Sequence, residues 1–441
     1  MNTPLTNAIE ALLARDNSRL HMPGHKGNFG GPLKNIYPYD ITELAGLESL
    51  YENKGAIAET ETEYTRIYGT KASLLSAGGS TLCIQAMLTL VCPPGSQLIM
   101  ARNAHTAAVS AMAMLDLHPI WIQPEFDEIG LVRQPAAREI ETLLETNTDA
   151  KVVYITSPDY YGNIADIPCI AKVCHKHNAK LIVDNAHGAH LGFLQDNLHP
   201  AQLGADICCD SLHKTLPVLT GGALLHIQNA EYVFGAKRAM SLFGSTSPSF
   251  IILASADLVL PYLEKNAKDE LHMLCKKVDE LRKIAVANDF SVPKGLRDPA
   301  RLTLGFAAAG YTRKAFEKQL ETYKITAEYL DDAFCMLLMS PQNRDEDFER
   351  LRELLKAEKP DLYTAQKLSM PKLPEVVCSI REAVFAPQEQ VNLERAEGRT
   401  AGRIQTACPP GVPVLMPGEK ICKDCVRFFK SSGILTVDVL K

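Results

Sequence analysis

The strongest constraint on the fold is an alternation of short apolar runs with helical segments that begins near Glu59. Ala72 to Ser76, Gln97 to Ala101, Lys151 to Ser157 and Ala179 to Val183 are apolar runs of strand length, separated by helical segments. Parallel strands need a crossover connection of a dozen or more residues, and strands covered on both faces are continuously apolar. The spacing therefore predicts an α/β domain built on a mostly parallel sheet.

Polar side chains gather where another of these runs ends. The stretch from Ala205 to Leu216 opens as an apolar strand and closes on Ser211, His213 and Lys214. Burial at the mouth of a strand lowers the pKa of a lysine, and the free amine can then form a Schiff base with an aldehyde cofactor. Ser211 and His213 would offer hydroxyl and imidazole donors to a phosphate. The alternative is an ordinary surface lysine at the end of a strand.

A glycine pair in front of a helix predicts an anion site. Ala77 to Thr81 links the strand that begins at Ala72 to an apolar helix running to about Val91. Gly79 lets the backbone approach a ligand closely, Ser80 and Thr81 can cap the helix, and the helix N-terminus favours an anion. Most glycine pairs in front of a helix form an ordinary turn that binds no ligand. A phosphate-binding turn and an ordinary turn therefore both remain possible interpretations.

Three further candidates follow strand ends, where open α/β sheets bind their ligands. Asp184 ends one run, and a carboxylate there can keep a basic ring nitrogen of a bound cofactor protonated, so that the ring withdraws electrons. A solvated strand-end aspartate is the alternative. His105 follows another strand and is a candidate cofactor ligand, the alternative being a helix-capping or core histidine. His187 lies on the turn after Asp184 and is a candidate for contact with cofactor or substrate.

Composition narrows the class of function. The 441 residues are 46% hydrophobic and 22% charged, with a formal net charge of −6, which is typical of a globular protein and gives no basic surface for nucleic acid or an anionic membrane. The N-terminal segment does not look like a signal peptide, and we expect a cytoplasmic protein without a membrane partner. The cysteines lie mostly in apolar runs, as reduced core thiols do. For Cys422 and Cys425, which have no second Cys or His pair nearby in sequence, we expect neither a zinc nor a redox role, and we predict no metal site.

Two motifs carry a resemblance to a known family. Ser-Leu-His-Lys-Thr-Leu-Pro at 211–217 and Leu-His-Met-Pro-Gly-His-Lys-Gly at 20–27 resemble the Orn/Lys/Arg decarboxylase family of fold-type I pyridoxal-phosphate (PLP) enzymes. The similarity continues at 40–44, 184–190, 246–249 and 409–413, and so covers nearly the whole chain. It implies an N-terminal helix and arm over 1–55, a PLP-binding large domain with a seven-stranded sheet over 56–270, and a smaller C-terminal α/β domain over 271–441. The chain resembles the short members, which lack a receiver-like N-terminal domain.

The resemblance also implies an activity and a set of roles. Lys214 would hold PLP, Asp184 would pair with the pyridine nitrogen and His105 would stack on the ring. Thr246 lies in a loop that, in the family, approaches the cofactor phosphate of the neighbouring subunit, so a homodimer with active sites at its interface is expected. The substrate would be a basic amino acid (arginine, lysine or ornithine), decarboxylated to a polyamine precursor. Another PLP reaction, such as transamination or lyase chemistry, and a non-catalytic fold relative remain open.

The chain departs from the family pattern near its C-terminus. Short members commonly carry an acid four residues after the arginine equivalent to Arg399, then Tyr-Pro-Pro-Gly, whereas Arg403 and Cys408 stand here. A guanidinium repels the distal cation of a basic substrate, which predicts lower efficiency on such substrates or a different amino acid. Asp159, Glu397 or an acid from the other subunit would then be the carboxylate partner.

Two smaller expectations complete the substrate pocket. His21, on the N-terminal arm, is a candidate at the rim of the site, with a loop residue that fixes a turn as the equal alternative. The run from Thr220 to His226 predicts a further strand, and within it Gly221 and Gly222 stand where bulkier residues are expected, which would widen the pocket.

Overall fold

The computed structural model describes residues 2–359, 371–407 and 412–441. Its main feature is a seven-stranded sheet with the strand order β1-β7-β6-β5-β4-β2-β3. The strands are β1 Ala72–Ser76, β2 Gln97–Ala101, β3 His118–Ile122, β4 Val152–Thr156, β5 Lys180–Asp184, β6 Ile207–Ser211 and β7 Ala223–Ile227.

The sheet is mostly parallel, as the spacing of apolar runs predicts. β2 pairs in parallel with β3 and with β4, and β5 pairs in parallel with β6, whereas β7 is antiparallel to both β6 and β1. β1, β4, β6 and β7 are buried along their whole length, as expected for strands covered on both faces. The α/β class and the fold-type I architecture are confirmed.

Helices fill the crossover connections and the C-terminal half. Their bounds are α1 Pro4–Leu13, α2 Gly55–Tyr68, α3 Gly79–Val91, α4 Thr106–Leu115, α5 Ala137–Thr146, α6 Ile167–Lys176, α7 Leu212–Thr215, α8 Val233–Ser241, α9 Phe250–Leu258, α10 Leu260–Lys265, α11 Ala267–Ala287, α12 Arg313–Thr322, α13 Asp345–Leu355, α14 Ile380–Phe385 and α15 Lys423–Ser431. Among the described residues, no helix combines the length and the apolar character needed to cross a membrane.

The chain divides into two compact units. The first unit comprises Met1–Val91 and Leu181–Glu270, and the second comprises Cys92–Lys180 and Leu271–Lys441. The division at 270/271 coincides with the start expected for the C-terminal domain. The three-domain boundaries at 55/56 and 270/271 stay a prediction.

In the first unit, buried polar contacts fix the N-terminal helix. The Asp257 carboxylate accepts hydrogen bonds from the backbone N–H of Thr6 (2.8 Å) and from the Thr60 hydroxyl (2.7 Å). The Tyr64 hydroxyl donates to the carbonyl of Ala256 at 2.7 Å. Helices α1, α2 and α9 are therefore joined around one carboxylate, and the largely irregular arm follows α1, as the sequence predicts.

The second unit carries three small sheets after its part of the main sheet. They are β8 Arg301–Gly305 with β10 Phe334–Leu338 and β9 Tyr329–Leu330, β11 Gln388–Asn392 with β14 Thr436–Leu440, and β12 Gln405–Ala407 with β13 Val412–Leu415. Helix α15 contributes Cys425, Phe428 and Phe429 to an apolar cluster with residues of β13 and β14. This cluster gives the C-terminal end of the chain its own core.

Candidate active site

Lys214 lies on α7, a single helical turn that directly follows strand β6. Its side chain is half-buried, and its Nζ is 3.0 Å from Nε2 of His187. A protonated lysine has only donors, so Nε2 is the acceptor and His187 is in its Nδ1–H form while Lys214 carries its proton. The structure thus pairs the predicted lysine with an imidazole that can take that proton.

Asp184 ends strand β5 and is almost completely buried. Its Oδ1 accepts the backbone N–H of Ala186 at 3.1 Å, and the Cys209 thiol, opposite it on β6, lies 3.9 Å from the same oxygen. A carboxylate that is buried away from solvent is stabilised by a cationic partner, such as a protonated pyridine nitrogen. This environment fits the expected role.

The glycine turn between β1 and α3 leads directly into the N-terminus of α3, where an anion is favoured. Gly79 adopts a φ of +66°, which favours glycine, and its N–H donates to the carbonyl of Gly221 at 2.8 Å. The Ser211 hydroxyl donates to Ser80 Oγ at 2.9 Å, which leaves the Ser80 hydroxyl hydrogen for another acceptor. Two predicted phosphate ligands from separate stretches of the chain therefore meet at the N-terminus of α3.

A cavity of about 210 Å³ lies beside this turn, within the first unit. Gly78, Thr81 and Gln85 line one side, and the loop that contains Thr246 lines the other through Ser245 and Ser247. The resemblance to the family implies that this loop approaches the cofactor phosphate of a neighbouring subunit. In the structure, the loop lines the same cavity as the glycine turn of its own chain, which the sequence did not predict. The contact with a neighbouring subunit stays a prediction.

One ring nitrogen of His213 is already engaged by the backbone. Its Nδ1 is 3.1 Å from the carbonyl oxygen of Gly222, so Nδ1 carries the hydrogen. Nε2 can then donate to a phosphate only when the imidazole is protonated. A phosphate role for His213 thus requires the charged form of the ring.

The expectation that Gly221 and Gly222 widen the pocket is wrong. A Cβ at Gly222 would lie 2.5 Å from Cγ1 of Val218, and one at Gly221 would lie 3.1 Å from Cδ1 of Ile252. Gly221 also has a φ of +100°. The two glycines permit close packing, and they form a turn in front of β7, so the strand expected from Thr220 begins only at Ala223.

A buried polar network under the site was not foreseen. One oxygen of Asp210 accepts Nε2–H of His199 (2.9 Å) and of His226 (3.0 Å), and the other accepts Nδ2–H of Asn185 (2.6 Å). Burial would raise the pKa of Asp210, but its two histidine partners outweigh burial and hold that pKa below its usual range. Burial also lowers the pKa of His226. An ionised Asp210 therefore accepts hydrogen bonds from both imidazoles and anchors Asn185, the neighbour of Asp184.

His105, in the second unit, caps a helix. Its Nδ1 accepts the backbone N–H of Ala107 at 3.1 Å at the start of α4, and its ring is exposed. The capping interpretation is confirmed by this contact. Stacking of the exposed ring on a cofactor is compatible with it and stays a prediction.

Asp159 is buried in a turn of the second unit. Its carboxylate accepts hydrogen bonds from the backbone N–H and from Nδ2 of Asn163, both at 2.9 Å. Burial raises the pKa of Asp159 to about 6, although Asn163 and the charge of Arg301 act in the opposite direction. A substrate cation would have to compete with these hydrogen bonds.

The remaining substrate candidates occupy exposed segments. The arm residue His21 is half-buried, and its backbone carbonyl accepts a hydrogen bond from Nζ of Lys26. Arg403 is 72% exposed and its Nε lies 4.0 Å from the Asp438 carboxylate on β14, so its charge has an acidic neighbour that the sequence did not reveal. Cys408 and the whole Pro-Pro-Gly motif at 409–411 lie outside the described residues.

The sheet, the strand-end lysine and aspartate, and the glycine turn define the class of fold-type I α/β enzymes. Comparison with known proteins narrows this class. The sequence profile described as "Orn/Lys/Arg decarboxylase, major domain" matches residues 3–293, and the profile of the C-terminal domain of the same family matches residues 364–434. The chain belongs to the Orn/Lys/Arg decarboxylase family.

Individual relatives agree with this assignment. The chain is 28% identical to an arginine decarboxylase of Halalkalibacterium halodurans over 98% of this chain and 93% of that protein, and 27% identical to an arginine decarboxylase of Bacillus subtilis over 97% and 92%. The crystal structure of a Francisella novicida lysine decarboxylase matches the fold with a TM-score of 0.85 at 17% identity, covering 100% of this chain and 81% of that one. The chain is therefore an amino-acid decarboxylase.

Proposed function

We propose that this chain uses PLP to remove carbon dioxide from a basic amino acid (arginine, lysine or ornithine) and so forms a polyamine precursor. The 3.0 Å contact between Lys214 Nζ and His187 Nε2, next to the polar strand ends of β5 and β6, carries the proposal. The names of the relatives, which are arginine and lysine decarboxylases, support the substrate class.

The residues present fit PLP. The cofactor has three features to be held, and the first unit offers a matching group for each: a half-buried primary amine for the aldehyde, a buried carboxylate for the pyridine nitrogen, and hydroxyls at a helix N-terminus for the phosphate. When bound, PLP supplies an aldehyde carbon and an electron-withdrawing ring. The proposed phosphate ligands are Gly79, Ser80, Thr81, Ser211, His213 and Thr246.

Lys214 and His187 would together manage a proton. An ammonium ion cannot attack an aldehyde, so Lys214 must first lose a proton, and Nε2 of His187 is placed to accept it. The balance is one proton moved from Nζ to Nε2, which leaves a neutral amine and an imidazolium. The same pair can return a proton to the substrate carbon after carbon dioxide leaves.

Asp184 would keep the bound ring protonated because a buried carboxylate stabilises an adjacent cation. Asp210 would help to position Asp184 because it accepts a 2.6 Å hydrogen bond from the side chain of Asn185, the next residue in the chain. His105 would stack on the ring. For substrate binding, we propose that His21 lies at the rim of the active site and that Arg403 lies near the distal group of the substrate side chain. We propose Asp159 as the carboxylate partner of the substrate's distal cation, although in the structure it accepts a hydrogen bond from Asn163.

We also propose a cytoplasmic homodimer with active sites at its interface. Several apolar side chains on the N-terminal arm are solvent-exposed in the single chain, and burying them against a second copy would be favourable. These exposed residues are Leu20, Met22, Phe29, Leu33 and Ile36.

A panel assay tests the proposed reaction. Purified protein is incubated with PLP and each of the common amino acids, while carbon dioxide and the organic product are measured. We expect carbon dioxide and amine in equal amounts from arginine, lysine or ornithine. A keto acid as the main product would favour transamination, and bound PLP without any product would favour a non-catalytic relative.

A further inference from the structure

The two cysteines of Cys422-Lys423-Asp424-Cys425 lie together at the start of helix α15. Cys422 is the N-cap residue, and its Sγ accepts the backbone N–H of Cys425 at 3.4 Å. The two sulfur atoms are 3.1 Å apart. Cys422 is partly exposed, whereas Cys425 is buried.

Local packing fixes both sulfur atoms. Cys425 belongs to the apolar cluster that α15 shares with Leu415 and Val437, so its position is set by the core. Cys422 is held by the N-cap hydrogen bond. The sulfur atoms are 3.1 Å apart, and a disulfide bond is about 2.05 Å long. They therefore have to approach each other by only about 1 Å to form the bond, a movement small enough to leave the helix folded.

A metal-binding alternative lacks ligands. Within the ranges that the structure describes, no third His, Cys, Asp or Glu joins these two sulfurs in a cluster that could share a metal ion. A structural zinc ion takes four ligands, so two thiolates alone do not make such a site.

The spacing of the two cysteines in the sequence predicts no redox role, and the 3.1 Å contact between their sulfur atoms leads us to revise that expectation. We propose that Cys422 and Cys425 are a redox-active dithiol that forms a reversible intramolecular disulfide by exchange with a low-molecular-weight disulfide such as oxidised glutathione. Cys422 is the attacking residue because its side chain is partly exposed to a small disulfide, whereas that of Cys425 is buried. Burial, together with Cys422 itself, raises the pKa of Cys425 to about 12, consistent with the second, resolving position.

The exchange is balanced in two steps. The Cys422 thiolate attacks one sulfur of the small disulfide and expels one thiolate, which leaves a mixed disulfide. Cys425 then loses its proton and attacks Sγ of Cys422, which expels the second thiolate. Two protein thiols are oxidised, one small disulfide is reduced to two thiols, and the two protons released pass to the leaving groups.

Peptide mapping tests the proposal on the unmodified chain. Trypsin cuts after Lys420, Lys423 and Arg427, so the two cysteines fall in different peptides, 421–423 and 424–427. After treatment with oxidised glutathione and rapid alkylation of free thiols, we expect the native protein to yield these two peptides joined, and a reducing agent to separate them. Recovery of both peptides fully alkylated, or of either peptide joined to a different cysteine, would overturn the proposal.

Single variants test the order of attack. Cys425→Ser should accumulate glutathione on Cys422 because the resolving thiol is gone, whereas Cys422→Ser should leave Cys425 unmodified in the native protein. Cys378→Ser is the matched control, since Cys378 is also partly exposed, and it should keep the linked peptides. Glutathione that stays on Cys422 in the parent protein, without the linked peptides, would contradict the role of Cys425.

Discussion

Breaking the Arg102–Glu419 pair should destabilise the second unit far more than breaking an exposed ion pair. The two side chains are 1% and 2% exposed, and both Glu419 oxygens accept from the guanidinium, at 2.7 Å and 2.5 Å. Arg102 also donates to the carbonyls of Pro413 and Val414, each at 2.9 Å, while Glu419 accepts the N–H of Met416. The pair thus ties the end of β2 to strand β13.

Glu419→Gln preserves the shape of the side chain but leaves a buried guanidinium without its counter-charge. Removing one partner of a buried pair costs about 3–5 kcal/mol, and because glutamine still accepts one hydrogen bond we expect about 3 kcal/mol. Since 1.36 kcal/mol is a factor of ten, the unfolding constant should rise by roughly 150-fold. Urea denaturation followed by circular dichroism measures the change.

The matched control is Glu389→Gln in the same unit. Glu389 pairs with Arg399 at 2.8 Å, but the side chains are 43% and 36% exposed, so the loss should stay below about 1 kcal/mol. The double variant Arg102→Met with Glu419→Leu removes both charges but leaves the carbonyls of Pro413 and Val414 and the N–H of Met416 without their side-chain partners, so we expect it to remain less stable than the parent. If Glu419→Gln costs no more than Glu389→Gln, the reasoning about burial is refuted.

Three further substitutions probe the site. Asp184→Asn should retain PLP, measured by fluorescence, yet lose at least about 100-fold in decarboxylation because the ring loses its charged partner; activity equal to the parent's would contradict the role of Asp184. Asp159→Asn should raise KM for a basic amino acid because the proposed carboxylate partner of the substrate's distal cation is lost; a KM within about twofold of the parent's would mean that the side chain only fixes its turn. Burial raises the pKa of Asp159 from 3.8 in the unfolded chain to about 6 in the folded protein. Between these two pH values the folded protein still binds a proton on Asp159 that the unfolded chain has released, so the free energy of unfolding falls as the pH rises from about 4 to 6. The stability of Asp159→Asn should therefore increase relative to the parent by about 2 kcal/mol between pH 4 and 6 in denaturation curves, whereas a constant difference would argue against the raised pKa. Arg403→Glu should raise kcat/KM for a basic amino acid by at most about fivefold because Arg403 is exposed and already near Asp438; no gain, with ordinary activity in the parent, would make the departure from the family pattern neutral.

The strands and the glycine turn could be predicted because their signals are local. The bounds of Ala72–Ser76 and Gln97–Ala101 were predicted to the residue, since continuous apolar runs and turn residues lie next to each other in sequence. Strand β7 was placed too early because Gly221 looks like part of an apolar run, whereas its positive φ makes it a turn.

Long-range contacts could not be predicted from one sequence. Asp210 was visible as a charge inside an apolar strand, which signals a buried partner, but nothing local identifies His199 and His226 as those partners. The resemblance to the family likewise implied that Arg403 stands where short members commonly carry an acid, but it did not indicate that Asp438 lies beside it. Residues that meet through folding rather than through spacing need the structure.

The most direct test of the account is to identify the lysine that carries PLP. The protein is incubated with PLP, treated with borohydride to fix the cofactor covalently to the lysine with which it has reacted, and mapped by mass spectrometry. We expect the pyridoxyl group on Lys214, with trypsin failing to cut there, and no such label in Lys214→Ala. A label spread over exposed lysines such as Lys26, with Lys214 unmodified, would contradict the central claim.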